Sequence, residues 1–593
     1  MHTYQYSKLS SASKYIRLLR LHPGRFPEQI EIDLFHQHLP TPPDPRNSRK
    51  ILEQIEKTLP DGWEVRQSID GRFAYLKDNS QSTWVHPVDG FDITKFEKDP
   101  NDVPAQEVKL VEYEALSYCW GEATEKVEVL IENSPDPITE KNSVQKVEIS
   151  SSLAWALRYL RRTDRVRVLW VDALCINQED PSERSEQVRR MADIYRSALM
   201  VVIWLGESAD NSEAAMDAFQ YIGQQVQLSI EAGCIQSPDA VEERWHDTTT
   251  LLPYDKQIFM AMATLAERAW FNRLWVYQEV QLAKTAVIQC GYQTAPWSLF
   301  QGAAVCLYCN DYTLETLRTN LDPIARIAIS QPSTPLFNII TQTGTRLCKD
   351  PKDKIYGILG FTPSNFVIHP NYSNPVETVY RDAIITYTNY FCRFDFLRIC
   401  NLGVWRYDNL PSWVPNLSHP LRKIGYFSFE FATGASRAEY QFDGDNMKAT
   451  GIQLSRVAEA MPQIPQDNNQ AIELIRGLEP PGLQEKDYVD SEPLLEAYAT
   501  LLCHNFSKER FPGGDLPSIE EWKCQKNANP FFGHTSHPIS WNNPTWYEDR
   551  CLTHLKEQRI FITESGYMGR GPGCAQQGSM PVFKRPYCIA NET

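Results

Sequence analysis

Two almost uninterrupted apolar runs, VRVLWV at 166–171 and MVVIWLG at 200–206, flank a segment patterned as an amphipathic helix. Asp180-Pro181-Ser182-Glu183 opens that helix with a side-chain acceptor at the N-cap, proline at the first turn and an acid at the third position. Val188, Met191, Ile194, Tyr195 and Ala198 then return at helical spacing. A strand that is apolar on both faces is covered on both faces. Two such strands joined through a helix run parallel, with a right-handed crossover. The same grammar precedes them: LVEYEALSY (110–118) is strand-like, and SSLAWALRYLRR (151–162) places Leu153, Leu157 and Leu160 on one helical face. The prediction is an α/β fold built on a parallel sheet flanked by helices, whose ligand side lies beyond the carboxyl ends of the strands.

Around this core the pattern changes several times. YIRLLRL (15–21) and QIEIDLF (29–35) read as a strand pair turning at His22-Pro23-Gly24, after which a proline-rich stretch, Leu39 to Arg46, interrupts. Residues 211–283 are mostly helical in pattern, followed by a short strand, TAVIQCG (285–291). Helices and loops are expected over 300–400. Strand signals (YFSFEFA, RIFITE, MPVFK) recur between Pro, Asn and Gly-rich loops toward the end of the chain. The expected division is 1–57, 58–89, 107–291, a helical 292–420 and a β-rich 421–593.

Composition narrows the function classes. With 59 Lys plus Arg against 75 Asp plus Glu, the formal charge of −16 argues against nucleic acid as a partner. No stretch supplies the roughly 18–20 uncharged apolar residues of a membrane span, and MHTYQYSKLSSASKYIRLL lacks a secretory apolar core. Fourteen scattered cysteines read as free thiols of a reducing compartment, so a cytoplasmic location is expected.

Leu59 to Pro87 carries two tryptophans about twenty residues apart, separated by a Gly-containing turn and aromatic strands. It resembles a WW domain, a three-stranded sheet that docks proline-rich ligands. Trp63 and Pro87 match the structural clasp and Trp84 the ligand-stacking position, with Tyr75 and Trp84 as the groove pair. The match departs from the family at Ala74, where a groove aromatic is usual, and at Asp78, where His is usual. The second hairpin is also one residue short. A degenerate, structural module is the favoured reading.

Four segments in order, YEALSYCWG (113–121), LWVDALCINQEDPSERSEQVRRMADIYRSALMVVIWLG (169–206), RAWFNRLWVYQEVQLA (268–283) and DPKDKIYGILGF (350–361), resemble the fungal heterokaryon incompatibility (HET) domain. LPSWVPNLS (410–418) and RIFITESGYMGRGP (559–572) are similar to segments that follow it in full-length members. The strand pair Tyr15 to Phe35 is separated from YEALSYCWG by the WW-like insert. The resemblance implies a role in self/non-self discrimination when fungal cells fuse, ending in growth arrest or death. It also implies other incompatibility proteins, or further copies of this chain, as partners.

HET domains are similar in overall pattern to TIR domains, whose catalytic glutamate lies four residues after a tryptophan on a helix. Trp275 and Glu279 have that spacing and share a helical face. By this similarity Glu279 is the residue that cleaves NAD, with NAD as substrate and no resident cofactor. One carboxylate would hold the ribose hydroxyls and stabilise an oxocarbenium-like centre as nicotinamide leaves. Ser117, Tyr118, Trp120, Asp172, Asn177 and Trp275 are the accompanying substrate-binding candidates. Arg268, Arg273 or the helix start near Pro181 would offset the dinucleotide's charge. The alternatives stay open: Glu279 paired with Arg268 or Arg273, Asp172 and Asn177 bonded to loop backbone, and a non-enzymatic module acting by self-association or recruitment.

Other motifs carry less. Cys306-Leu307-Tyr308-Cys309 has metal or redox spacing without a second ligand pair nearby, so a helical core pair is expected and no metal site. Cys119 and Cys175 read as buried small side chains, and His534, His537 and Cys524 as a weak loop grouping. Gly569, Gly571 and Gly573 flank a proline and are expected in a hairpin turn.

Overall fold

In a computed structural model of the chain, residues 4–9, 15–39, 54–67, 73–77, 81–83, 85–88, 91, 111–121, 125–132, 144–229, 233–329, 336–362, 366–400, 409–419, 438–450, 455–483, 485–489, 491, 493–503, 552, 555–573 and 575–578 are described. They divide into two compact units, 1–336 with 346–374, and 337–345 with 375–593.

The first unit begins with β1 (Tyr15–Leu21) and β2 (Glu31–His38), the expected antiparallel pair. The insert follows as β3 (Trp63–Gln67), β4 (Phe73–Lys77) and β5 (Gln81–Thr83), then β6 (Glu114–Tyr118), β7 (Lys126–Glu132) and β8 (Val144–Ser150). Helix α1 (Ser151–Leu160) leads to β9 (Arg167–Trp170), the single turn α2 (Asp172–Cys175), α3 (Pro181–Ser197) and β10 (Met200–Trp204). Next come α4 (Ser212–Gln225), the hairpin β11 (Val226–Ser229) and β12 (Gly233–Gln236), α5 (Lys256–Ala266) and α6 (Val276–Gln281). The strands β13 (Ala286–Cys290) and β14 (Gln293–Pro296) and helices α7 (Trp297–Cys309) and α8 (Glu315–Ile329) follow.

Nine strands form one sheet in the order β14-β13-β10-β6-β9-β1-β2-β7-β8. The expectation of a parallel sheet is corrected to a mixed one. The central four, β13-β10-β6-β9, are parallel throughout. The margins are antiparallel at β14–β13, β9–β1, β1–β2 and β7–β8, because short connections such as the β13–β14 and β1–β2 turns can only reverse the chain. Within the parallel core the chain goes from β6 to β9 on one side, then to β10 on the other and on to β13. That is the 2-1-3-4 order of a doubly wound sheet, with its switch point at β6.

Local chemistry explains the flanking helices. Ser150 caps α1 by accepting from Leu153 N (3.3 Å), and Leu153, Leu157 and Leu160 are buried as the stripe requires. Asp180 caps α3 through Ser182 N and Glu183 N. Glu183 does not turn back to complete a capping box. It is buried and receives Arg17 of β1 (2.9 Å) and Asn177 N (2.7 Å). Arg17, fully buried, also donates to Cys175 O (2.8 Å) and Ser7 O (2.9 Å). Helices α4 and α7 meet at Gly223, where a Cβ would lie 2.1 Å from Leu299 O, so only glycine permits that approach.

In the insert, β3, β4 and β5 form the expected three-stranded antiparallel sheet. Its small core is Ile55, Val65 and Tyr75, with Leu59, Trp63, Phe73 and Phe91 against it. Tyr75 is therefore corrected from groove residue to core residue: it is 2% exposed and meets the His86 ring edge-on at 5.0 Å. Trp84 lies outside the described residues.

In the second unit, helix α9 (Val376–Phe391) precedes the hairpin β15 (Tyr440–Asp443) and β16 (Asn446–Ala449). The strands β17 (Val457–Ala460), β18 (Gln558–Thr563) and β19 (Met568–Pro572) form a separate antiparallel sheet. Helices α10 (Asn468–Gly477) and α11 (Leu494–Cys503) share a core of Ile464, Ile475, Tyr498, Leu502 and Ile560. The described part is mixed rather than β-rich. YFSFEFA, MPVFK, His534, His537 and Cys524 lie outside it. Gly569 and Gly571 belong to β19 rather than to a turn, and a Cβ on Gly569 would lie 2.5 Å from the Phe561 ring. Among the described residues no helix is long and apolar enough to cross a membrane.

The buried Arg17–Glu183 pair yields a direct expectation. Glu183→Ala strands a guanidinium in the interior and should cost roughly 3–5 kcal/mol, read by urea unfolding. The double replacement Arg17→Met/Glu183→Leu, which removes both charges, should recover most of the loss. Equal stability of Glu183→Ala and the parent protein would refute the assignment.

Candidate functional site

The carboxyl ends of β6 and β9 face the start of α6, and three sequence motifs meet there. Ser117, the penultimate residue of β6, is 1% exposed; its hydroxyl donates to Glu279 Oε2 on α6 and accepts from Trp270 Nε1 at 2.8 Å. Glu279 is 2% exposed and Trp270 1%, so indole, hydroxyl and carboxylate form a chain closed off from water. Parallel pairing of β6 with β10, Ser117 opposite Ile203, fixes the height of Ser117 in the sheet.

Burial pushes the Glu279 carboxyl up to about 7, helped by the charge of Asp172. The Arg273 guanidinium and the Ser117 hydrogen bond oppose the shift without cancelling it. Arg273 donates to Tyr118 O, and the charge of Glu279 favours its protonated form. Neither arginine named from the sequence forms an ion pair with Glu279. Arg268 is engaged elsewhere, donating to Leu205 O (2.9 Å) and Glu207 O (2.8 Å) after β10.

The rim above this chain is more open. Asp172 opens α2, one residue beyond the end of β9, and is half-buried; its Oδ2 accepts from Trp120 Nε1 at 2.7 Å and its Oδ1 from Ala173 N at 2.7 Å. Burial raises its pKa, and Arg273 with these two donors pulls it back. Trp120 is 40% exposed. The Tyr118 hydroxyl is buried without a bond of good geometry, and burial, reinforced by the neighbouring Asp172 charge, raises its pKa well above the usual phenol value. Asn177 turns back on its own loop, its side chain accepting from Glu179 N (3.2 Å), while Gln178 Nε2 donates to Asp172 O (3.0 Å).

Six of the residues singled out from the sequence (Ser117, Tyr118, Trp120, Asp172, Arg273, Glu279) thus share one locus. Trp275 does not join them by hydrogen bonding. Its indole donates to Asp353 Oδ2 (3.2 Å) in the fourth motif, where Tyr372 OH also donates to Oδ1 (2.6 Å) and burial pushes the Asp353 carboxyl up to about 6. That motif also closes against α6: Gly360 N donates to Gln278 Oε1 (3.3 Å), and a Cβ on Gly360 would lie 2.8 Å from Ala192 Cβ. Sequence reasoning missed Trp270, Asp353 and Tyr372; the first two sit inside motifs already recognised, which was the available signal.

The cysteines hold other places. Cys175 is buried, accepts from Val171 N at 3.3 Å, and is pushed up to about 12 by burial. Cys306 is buried and donates to Trp245 O (3.1 Å), while Cys309 is exposed.

Comparison with known proteins adds three findings. Residues 113–279, from the residue before β6 to Glu279 itself, match the family described as heterokaryon incompatibility protein (HET). The chain is 29% identical over 385 residues to heterokaryon incompatibility protein 6, OR allele, of Neurospora crassa, covering 52% of this chain and 54% of that protein. It therefore spans about half the length of the curated relative it matches, and no solved structure matches. The segment that builds the Ser117–Glu279 centre is the segment that is similar to the HET family.

Proposed function

We propose that this protein is a cytoplasmic effector of fungal heterokaryon incompatibility that promotes growth arrest or cell death, and that it does so by cleaving NAD at Glu279. The family match and the incompatibility relative support the biological role. The observation that carries the chemical reading is a buried carboxylate raised to about 7, held by Ser117 beyond the carboxyl end of the switch strand β6. The 2-1-3-4 order of the parallel core supports the likeness to TIR domains.

In this reading ionised Glu279 accepts from the ribose hydroxyls and stabilises positive charge at the anomeric carbon as the nicotinamide bond breaks. Arg273 is the local cation that answers the dinucleotide's phosphates, and the exposed Trp120 face is a stacking surface for one of its rings. The second reading, a non-enzymatic signalling module acting by self-association or recruitment of other incompatibility proteins, is favoured by one fact: Glu279 is only 2% exposed. The buried Tyr75 supports a structural role for the insert over capture of a proline-rich ligand.

Expression of the parent chain and Glu279→Ala in fungal cells, with viability and NAD measured together, separates the readings. NAD loss and toxicity that both vanish in the variant are expected. Toxicity with unchanged NAD would overturn the enzymatic reading in favour of signalling.

The raised carboxyl supplies a second test. Its folded pKa, about 7, lies above the ordinary 4.5, so the folded state holds the proton more tightly and stability falls as pH rises from 4.5 through 7. Glu279→Gln should therefore raise the unfolding midpoint at pH 8, by an amount worth about 3 kcal/mol at most, with the gain shrinking toward pH 5. NAD cleavage, which uses the ionised form, should decline below pH 7 in the parent chain. A pH-independent difference between the two proteins would show that the carboxyl is not raised.

A further inference from the structure

The most unusual surface of the first unit lies along α1. Phe26, from the turn between β1 and β2, packs on Trp155 at 5.7 Å and on Tyr159 at 4.9 Å. Tyr159 continues to Tyr292 at 4.6 Å and to Trp204 at 5.0 Å. The outer members stay uncovered: Tyr292 is 70% exposed and Trp155 36%. The turn that carries Phe26 is strapped to the end of α1, with Arg161 donating to Gln29 O (2.7 Å), Glu28 O (2.9 Å) and Arg25 O, and Gly24 N donating to Arg162 O (3.0 Å). The rings are thus held in place before any partner arrives.

Arginines gather beside them. Arg158 lies over the Trp155 ring at 5.6 Å, Arg25 is on the turn that carries Phe26, and Arg162 and Arg165 are in the connection that leaves α1. None of these four forms an ion pair among the described residues. The acids nearby are Glu28, whose carboxylate accepts from Arg25 N (2.8 Å), Glu31, Asp164 and Glu207; against Arg25, Arg158, Arg161, Arg162 and Arg165 the local balance stays basic in a chain of charge −16. Uncommitted guanidinium groups around a fixed aromatic centre match the composition that dominates binding energy at protein interfaces. Guanidinium forks pair best with carboxylates or phosphates.

We propose that this face of α1 is a docking site for an acidic polypeptide segment bearing apolar side chains. The rings meet at tilted and edge-on angles of 34° to 77°, so they offer a ridged apolar surface rather than parallel faces for successive bases. The overall negative charge also repels a phosphate backbone. The partner's carboxylates meet Arg158, Arg162 and Arg165, and its apolar side chains cover Trp155 and Tyr292. Helix α1 begins at the candidate site, where Ser152 Oγ donates to Cys119 O at 2.7 Å, so occupancy of its outer face bears on an element that touches both places. The proposal does not depend on NAD cleavage.

The test titrates the full chain into a fluorescent peptide alternating Glu or Asp with Leu or Phe, followed by anisotropy. Saturable binding is expected that weakens as salt rises from about 0.05 M to about 0.5 M. Arg158→Glu and Tyr292→Ser should each weaken it at least about fivefold. Arg189→Glu, the same charge change at an exposed position on α3, should leave it within about twofold. Circular dichroism checks that each variant is folded. No binding at about millimolar concentration, equal weakening by Arg158→Glu and Arg189→Glu, or tighter binding of an oligothymidine of equal charge would overturn the proposal.

Discussion

The buried contact between Arg17 and Glu183 is the joint on which the first unit depends. It ties β1 to the first turn of α3, across 166 residues of sequence. The same carboxylate accepts from Asn177 N, and the same guanidinium from β1 donates to Cys175 O, so the whole passage from β9 to α3 is fixed from one point. Asp172 lies in that passage. Its position at the rim therefore follows from a charge pair on the far side of the loop, and the pair survives burial because each partner has further hydrogen bonds to satisfy.

Strand β6 is the second constraint. It stands where the winding of the parallel core reverses, with β9 on one side and β10 on the other. Crossovers cannot cover both sides of such a strand's carboxyl end, which leaves a recess that side chains must fill or a ligand can enter. Here Ser117, Trp270 and Glu279 fill it and the polar rim lies outside them. A carboxylate in that place is desolvated by the sheet and the helix together, which raises its pKa; a surface glutamate with the same hydroxyl partner would not behave so.

Much of the fold was legible in the chain. The apolar runs at 166–171 and 200–206 fall on β9 and β10 with their immediate flanks, Asp180 caps α3, and the Leu153, Leu157 and Leu160 stripe is the buried face of α1. Each depends on local periodicity or capping, which acts over a few residues. What failed depended on distant neighbours. Gly569 reads as a turn residue until the Phe561 ring is placed against it, and Tyr75 reads as a groove residue until Val65 and Ile55 cover it.

The sequence by itself determined that this is an α/β chain with a capped crossover helix, and it singled out the motif segments that supply the site. Only the tertiary structure decided how those segments meet. Ser117 and Glu279 are 162 residues apart, and their contact is set by the parallel register of β6 on β10 and by the closure of α6 beneath it. Periodicity encodes which face of an element is buried, but not what it is buried against. The partner is chosen by long-range packing, in which glycines, ion pairs and strand register select one arrangement among many with the same local pattern.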